Sequence, residues 1–504
     1  MLRKTFSILV VTLLFIEVLT LALKTQPVKA NGTIYVRADG TIDPPSARGY
    51  IRRDGDQYVF TSNIHGSILV ERDNIVVDGA GYTLQGTGNG TGMGLNGRSN
   101  VTISNLKIKE FYHGIALYYS SGISICGNEI EDNNLRSHRA DGVYMVRSSS
   151  NTISGNNITN NGDGIELVAH SSNNRILGNN ITNNYEGIDL WYSSNNTIST
   201  NNITANNWDG IEVFHSSNTT ISKNNITANY YDGVKIDNSS YNSIYGNNIT
   251  NNGDGIELVA HSSNNRILGN NITNNMYGIE LEESSNNTIS TNNIKNNRYG
   301  IRLCGSSNHN SISKNNITKN KDGIQLYDSS YNVVSGNHIT AISHSIYLEA
   351  WSSNNTFFAN KITNSKYGAF LEFSSNNMFH HNYLFNNTVQ ANCYQSLNVW
   401  NNDFEGNYWS DYGGEDLDGN GIGDTPHVIN ENNQDNYPLM TPYVDVNYDG
   451  QVNIIDIAFI TKAFGANSGD PNYDLHADVD CNYSVNVIDI AIAAKWYGHR
   501  WQDL

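Results

Sequence analysis

The sequence predicts an all-β protein, a parallel β-helix with three strands per coil, followed by a small α-helical EF-hand-like module. Three observations carry this. A short phrase returns every 22 or 23 residues, marked by Gly142, Gly164, Gly187, Gly210, Gly233, Gly255, Gly278, Gly300 and Gly323. Each repeat holds three brief apolar peaks, such as Ile165/Leu167, Ile176 and Ile181, with no run long enough for a helix. Near the C-terminus, two stretches alternate oxygen-bearing side chains and each leads into a helical apolar pattern.

A fixed period of this size means stacked units. Strands bonded to their counterparts one repeat later, about 4.8 Å away, pair the backbone and bury a column of Ile. The repeats also align with one another. Two residues before the third peak stands Asn in twelve successive coils, from Asn128, Asn156 and Asn179 to Asn360 and Asn382, while the next position varies. This column is expected to point inward as an amide ladder at a tight corner, with Asn accommodating left-handed φ. A second column, including Asn151, Asn174 and Asn196, reads the same way. Residues 155–184 and 246–275 are identical over thirty positions, so neither copy is expected to be a unique active site.

At the start, Arg3 and Lys4 precede an apolar run from Phe6 to Leu23, and Ala30 closes the segment. Residues 1–30 read as a secretory signal cleaved after Ala30, so the rest is exported; a retained membrane anchor is the alternative. Residues 31–65 lack the repeat and are expected to cap the first coil. The β-helix then spans 66–400, a terminal segment with a Gly/Asp-rich loop spans 401–441, and the module spans 442–504. A formal charge of −18 excludes a nucleic-acid partner and suits calcium or sugars. Cys126, Cys304, Cys393 and Cys481 show no metal-site spacing, and stacking rather than disulfides must hold a monomeric β-helix.

In the first strand of each coil, the residue between two inward apolar ones faces out. That column reads Glu166, Asp189, Glu212, Lys235, Glu257, Glu280 and Arg302, and the position before Gly reads Asp163, Glu186, Asp209, Asp232 and Asp254. Tyr185, Trp208 and Tyr231 lie one place earlier, and Trp191 and Phe214 end the same strands. Carboxylates beside aromatic faces suit sugar, since pyranose rings pack on aromatic rings and their hydroxyls donate to carboxylates. Tyr185, Trp191, Trp208, Phe214 and Tyr231 are therefore candidate substrate-binding residues. Asp189 with Glu212, and Asp209 with Asp232, are candidate catalytic pairs, because neighbouring coils would set them near the retaining separation of about 5 Å. The simpler reading is that Asp before Gly caps a turn and the outward acids keep the sheet soluble.

The stretch 445–456 places Asp445, Asn447, Asp449, Asn453 and Asp456 at positions 1, 3, 5, 9 and 12 of a calcium loop, with Gln451 offering its carbonyl. A second copy supplies Asp478, Asp480, Asn482, Ser484, Asn486 and Asp489, with Tyr483 in place of the turn Gly. Apolar faces recur after both, at Phe459, Ile460, Ala463, Phe464 and at Ile492, Ala493, Trp496, Tyr497, so the two units should pack as a pair. Asp416, Asp418, Asn420 and Asp424 form a third candidate calcium loop, the alternative being a polar linker.

The repeat phrase, with Asp-Gly-Ile and Asn-Asn-x-Ile, resembles the NosD family of right-handed parallel β-helices over roughly residues 66–440, and 406–429 resembles the segment that ends those helices. The resemblance implies membership of a wider group of carbohydrate-binding proteins and sugar hydrolases. The expectation is a secreted or cell-surface protein that interacts with a polysaccharide or glycan. A polysaccharide lyase or hydrolase is one alternative, and a structural adhesion or surface-layer protein another. Gly-His-Gly, Arg-x-Lys and Asp-Pro-His-Asp motifs of related β-helix enzymes are absent. The copper role attached to the family name would need clustered soft ligands, whereas His113, His170, His215, His261, His309 and His344 are scattered over different coils and columns, so copper is not expected. The paired loops resemble a type I dockerin over residues 445–498, which implies calcium and a cohesin-like partner or surface scaffold. The alternative is a calcium-stabilised tail docked on its own β-helix.

Overall fold

The computed structural model describes residues 32–133, 140–440, 444–447, 451–467, 469–474, 476–479 and 484–498. The signal segment lies outside the described residues. The chain divides into two compact units, Met1–Thr197 and Ile198–Leu504. Both are built from the same right-handed parallel coil.

In the first unit, strands Ile165–Val168, Arg175–Leu177 and Asn180–Thr182 pair in parallel with Val143–Val146, Thr152–Ser154 and Asn157–Thr159 of the coil before. Ile165, Leu167, Ile176 and Ile181 point inward and are fully buried. β-Branched side chains suit this pleated, packed surface. At the start, Thr33–Val36 pairs antiparallel with Ile42–Asp43 and parallel with Ser67–Val70, and Ile51–Asp54 forms an antiparallel pair with Gln57–Phe60.

The second unit repeats the plan, as where Ile211–Phe214, Thr220–Ser222 and Asn225–Thr227 pair with the next coil. Two strands, Asn316–Tyr327 and His338–Glu349, are 12 residues long. They span the bend that elsewhere separates a coil's last strand from the next coil's first, with the register shifting between Thr318 and Asp322. Toward the end Ile gives way to Phe357, Phe379 and Trp400, buried rings stacked at 4.4 and 4.5 Å. Trp409 is buried beside them and donates its indole N–H to Asp435 at 2.8 Å. Large rings thus plug the column.

Helices α1 (Ile454–Lys462) and α2 (Val487–Lys495) follow. Asn453 and Asn486 cap them, each accepting an N–H at 2.8 Å, while Asp456 and Asp489 accept from the cap residues' own N–H groups. Ile460, Ala463, Ala493 and Trp496 meet in one core with Val452, Val485 and Leu439, against which Tyr408 and Ile422 pack. Phe464 and Tyr497 do not join that face. They stand in the turns that close the helices and are more than half exposed. Among the described residues no helix is long and apolar enough to cross a membrane.

The Asn columns do point inward. Asn156 Oδ1 accepts both the backbone N–H and the Nδ2 of Asn128, while Asn156 Nδ2 donates to Asn179 Oδ1 and to the Ile125 carbonyl. The left-handed residue, however, is the one before each ladder Asn, such as Gly155, Gly178, Thr200 and Lys223. The reason is that the corner turns one residue earlier, freeing Asn to face the core in extended geometry. A third ladder, through Asn133, Asn161 and Asn184 in one unit and Asn206, Asn229 and Asn252 in the other, is absent from the columns read off the sequence.

Replacing a ladder Asn strands several buried partners at once. Asn224→Ala should cost about 2 kcal/mol or more, and Asn225→Ala, one residue outward, below about 0.5 kcal/mol. Thermal denaturation of both variants checks this, and equal losses would sink the ladder's structural role.

Candidate functional site

In the first unit the column before Gly reads His113, Asp141, Asp163 and Glu186, and the column between the inward apolar residues reads Ala116, Tyr144, Glu166 and Asp189. Gly142 and Gly164 set this placement. A Cβ on Gly142 would lie 2.6 Å from the Gly164 carbonyl and 2.8 Å from Ile158 Cγ2, so only Gly lets the chain press on the next coil. The pre-Gly side chains are thereby held at the rim of the first strands.

Together they line a cavity of about 610 Å³ with Tyr112, Tyr118, Tyr185 and Trp191. Trp191 is 41% exposed, whereas Asp163, Glu186 and Asp189 are buried. His113 stacks on Tyr144 at 4.4 Å, and Tyr112 meets it edge-on at 4.6 Å. Beneath the cavity wall Asp141 is fully buried, its carboxylate 3.0 Å from His113 Nδ1. Burial pushes Asp141 up to about 7 and His113 down to about 4, so at mildly acid pH both are neutral and form no ion pair, and His113 Nδ1 accepts the Asp141 backbone N–H at 3.4 Å. Burial also pushes the Tyr144 phenol up to about 12.

Of the residues singled out in the sequence, Asp163, Glu166, Tyr185, Glu186, Asp189 and Trp191 line this cavity, and so does His113, there read only as a scattered histidine. Tyr112, Tyr118 and Tyr144, with Asp141 behind them, are additions. They sit where the spacing from Gly114 to Gly142 lengthens to 28 residues, which takes them out of the regular phrase. That lengthened coil was the signal available.

Glu212, Asp209, Asp232, Trp208, Phe214 and Tyr231 belong to the second unit. Trp208 and Tyr231 lie 4.0 Å apart. Asp209 accepts the Asp232 N–H at 2.8 Å, and burial raises both carboxyls, with mutual repulsion adding to the rise at Asp232. Glu212 is 3.4 Å from Lys235, and Phe214 packs edge-on against His215 at the strand's end. Asp254 and Asp322 repeat the Asp209 pattern, accepting the N–H of Tyr277 and His344 one coil on. His344 holds in this unit the column position that His113 holds in the first, and its Nδ1 lies 2.7 Å from Asp322.

In the C-terminal module, Asp445 and Asp456 of the first loop and Asp478 and Asp489 of the second are buried. Buried carboxylates at positions 1 and 12 need a compensating cation, so the donor set fits calcium. Asn453 and Asn486 spend their side-chain oxygens on helix caps. Asn447, Gln451 and Ser484 are in place in their loops, and Asp449, Asp480 and Asn482 lie outside the described residues. The loop of Asp416, Asp418, Asn420 and Asp424 differs. There the carboxylates accept backbone N–H groups of Asn420, Gly421 and Leu417 in an exposed turn. Converging ion-holding groups within each unit, Asp141/Asp163/Glu166 and Asp254/Glu257/Glu280, are carboxylate sets, a donor type for hard cations.

Fold and loops together define a right-handed parallel β-helix protein that carries a C-terminal EF-hand-like module. The chain matches the family described as periplasmic copper-binding protein (NosD) over residues 67–257 and 230–414, and it belongs to that family. Residues 443–495 match the dockerin type I domain. No curated protein matches. Among solved structures, the Dettilon tailspike protein is 19% identical with a TM-score of 0.41, covering 57% of this chain and 62% of its own. The periplasmic alginate epimerase AlgG is 16% identical with a TM-score of 0.35, covering 62% and 80%. The mannuronan C-5 epimerase AlgE6 A-module of Azotobacter vinelandii is 15% identical with a TM-score of 0.36, covering 67% and 90%. Likeness at this level carries no argument about chemistry here.

Because Asp141 is raised, its burial favours the folded state at low pH, and that favour is lost as pH climbs from about 4 through about 7. Asp141→Asn should remove this loss and stabilise the protein by roughly 1 kcal/mol or more at pH 8 while doing little at pH 4. Calorimetric scans at the two pH values test it. An equal shift at both would contradict the raised Asp141 carboxyl.

Proposed function

We propose that this protein is an exported, carbohydrate-binding β-helix whose C-terminal calcium module tethers it to a cohesin-like partner or surface scaffold. The cavity of about 610 Å³ carries the reading. Its walls join aromatic rings to carboxylates, the pairing that grips a sugar by its C–H face and its hydroxyls. On this reading the β-helix spans 66–400, the terminal segment 401–441 and the calcium module 442–504. Calcium held by Asp445, Asp456, Asp478 and Asp489 would order both loops. Exposed Ile454, Ile455, Val487 and Ile488, at the two helix starts, give the module an apolar contact face.

A polysaccharide lyase or hydrolase is the rival. One observation favours it: His113, neutral and backed by Asp141, sits in the cavity wall where a proton could be exchanged with a bound sugar.

Titration against a polysaccharide panel, scoring both binding and release of reducing or unsaturated ends, tests both. Trp191→Ala with Tyr185→Ala should weaken binding at least about tenfold. Release of ends that disappears in His113→Ala would instead establish an enzyme. For the tether, calcium chelation, or Ile455→Asp with Ile488→Asp, should abolish capture by immobilised cohesin. Undiminished capture under chelation would exclude a calcium-dependent tether.

A further inference from the structure

The second unit holds a surface that the cavity reading does not use. The two 12-residue strands lie side by side, Asp322 against His344 and Gln325 against Tyr347, with the register shifting across the bend. In the coils before, the outward column is self-satisfied, with Lys235 near Glu212 and Arg302 on Glu280. Here the ion pairs give way to rings: His344 stacks on Tyr347 at 4.8 Å and on Tyr367 at 5.2 Å. Tyr347 Oη lies 3.0 Å from Glu349 Oε2 and 2.5 Å from Glu372 Oε1.

Coil stacking needs only Asp322, which accepts the His344 N–H as the other pre-Gly acids do. It does not need this concentration of polar groups, and one of them is left over. Gln325 is 94% buried; its Nε2 is committed to Glu349 Oε1 at 2.6 Å, yet its Oε1 accepts no hydrogen bond. A buried amide oxygen without a donor calls for a ligand that brings one. Two residues beyond Glu349, Trp351 is 75% exposed and starts a row continued on successive coils by Phe373 and Tyr394.

We propose that this face is a second glycan-contact site, independent of the cavity in the first unit, in which the Trp351 row carries the C–H face of a pyranose chain. Hydroxyls of the same chain donate to Gln325 Oε1, Glu349 and Glu372. Rings in file on successive coils suit an extended chain more than a single sugar.

The test uses the full-length chain with calcium, in a background where Trp191→Ala and Tyr185→Ala disable the cavity. The background should still bind a long polysaccharide, and adding Trp351→Ala and Gln325→Leu should weaken that binding at least about tenfold, with β-structure unchanged by circular dichroism. Residual binding that ignores these additions would overturn the proposal, as would a background that binds nothing. Should Trp191→Ala and Tyr185→Ala leave wild-type affinity intact while Trp351→Ala and Gln325→Leu abolish it, the second site stands and the cavity reading falls.

Discussion

Axial hydrogen bonding from one coil to the next governs everything else in this protein. Parallel strands supply most of it, and at three corners Asn side chains carry it through the bends, where strand pairing lapses. Each ladder Asn bonds forward to one coil and back to another, as Asn156 does to Asn179 and to Ile125. Coil length varies by one residue between the first strand and the next ladder Asn, seven residues after Leu167 against six after Leu190, and by more between the last strand and the next first strand, as in the 28-residue spacing after Gly114. At that second bend the strands Asn316–Tyr327 and His338–Glu349 run on unbroken. Both candidate glycan surfaces lie beside those departures. Architecture decides where function has room.

The same stacking creates an electrostatic difficulty, because any residue placed in an outward column meets its like about 4.8 Å away. Three remedies are visible. Lys235 and Arg302 break the acidic column and sit beside Glu212 and Glu280. Asp209, Asp254 and Asp322 accept backbone N–H groups from the following coil. Asp141 takes the third course, held near neutrality by burial against a neutral His113. The first two remedies satisfy the fold alone. The third leaves a protonated carboxyl behind the cavity wall of the first unit.

Much of this was legible in the sequence, because a periodic chain is its own alignment. The period, the inward Ile columns and two of the Asn ladders follow from it directly. What escaped did so for physical reasons. Left-handed φ belongs to the residue before each ladder Asn, since the backbone bends before the side chain turns inward, and adjacent Asn pairs hide that one-residue offset. His113, Tyr144 and Asp141 escaped because they flank a lengthened coil. The exposure of Phe464 and Tyr497 escaped because helical periodicity was carried one turn past the helix ends. Asp416, Asp418, Asn420 and Asp424 match a calcium loop in spelling, and their turn's N–H groups reach these carboxylates as the N–H groups of Asn447 and Asn453 reach Asp456.

The seating of the C-terminal module bears on whether it can bind a cation and rest on the β-helix at once. Lys314 and Lys361 reach it from neighbouring coils, and a lysine beside an acidic loop would ordinarily compete with calcium for carboxylates. Neither does so. Lys314 Nζ donates to the Asn447 carbonyl at 3.4 Å, and Lys361 Nζ donates to the Asp478 carbonyl. Those are main-chain oxygens at positions 3 and 1, whereas a loop of this kind contributes its main-chain ligand from position 7. These two bonds fall on atoms that calcium does not use, and because seating and cation binding order the same backbone, each lowers the entropic cost of the other.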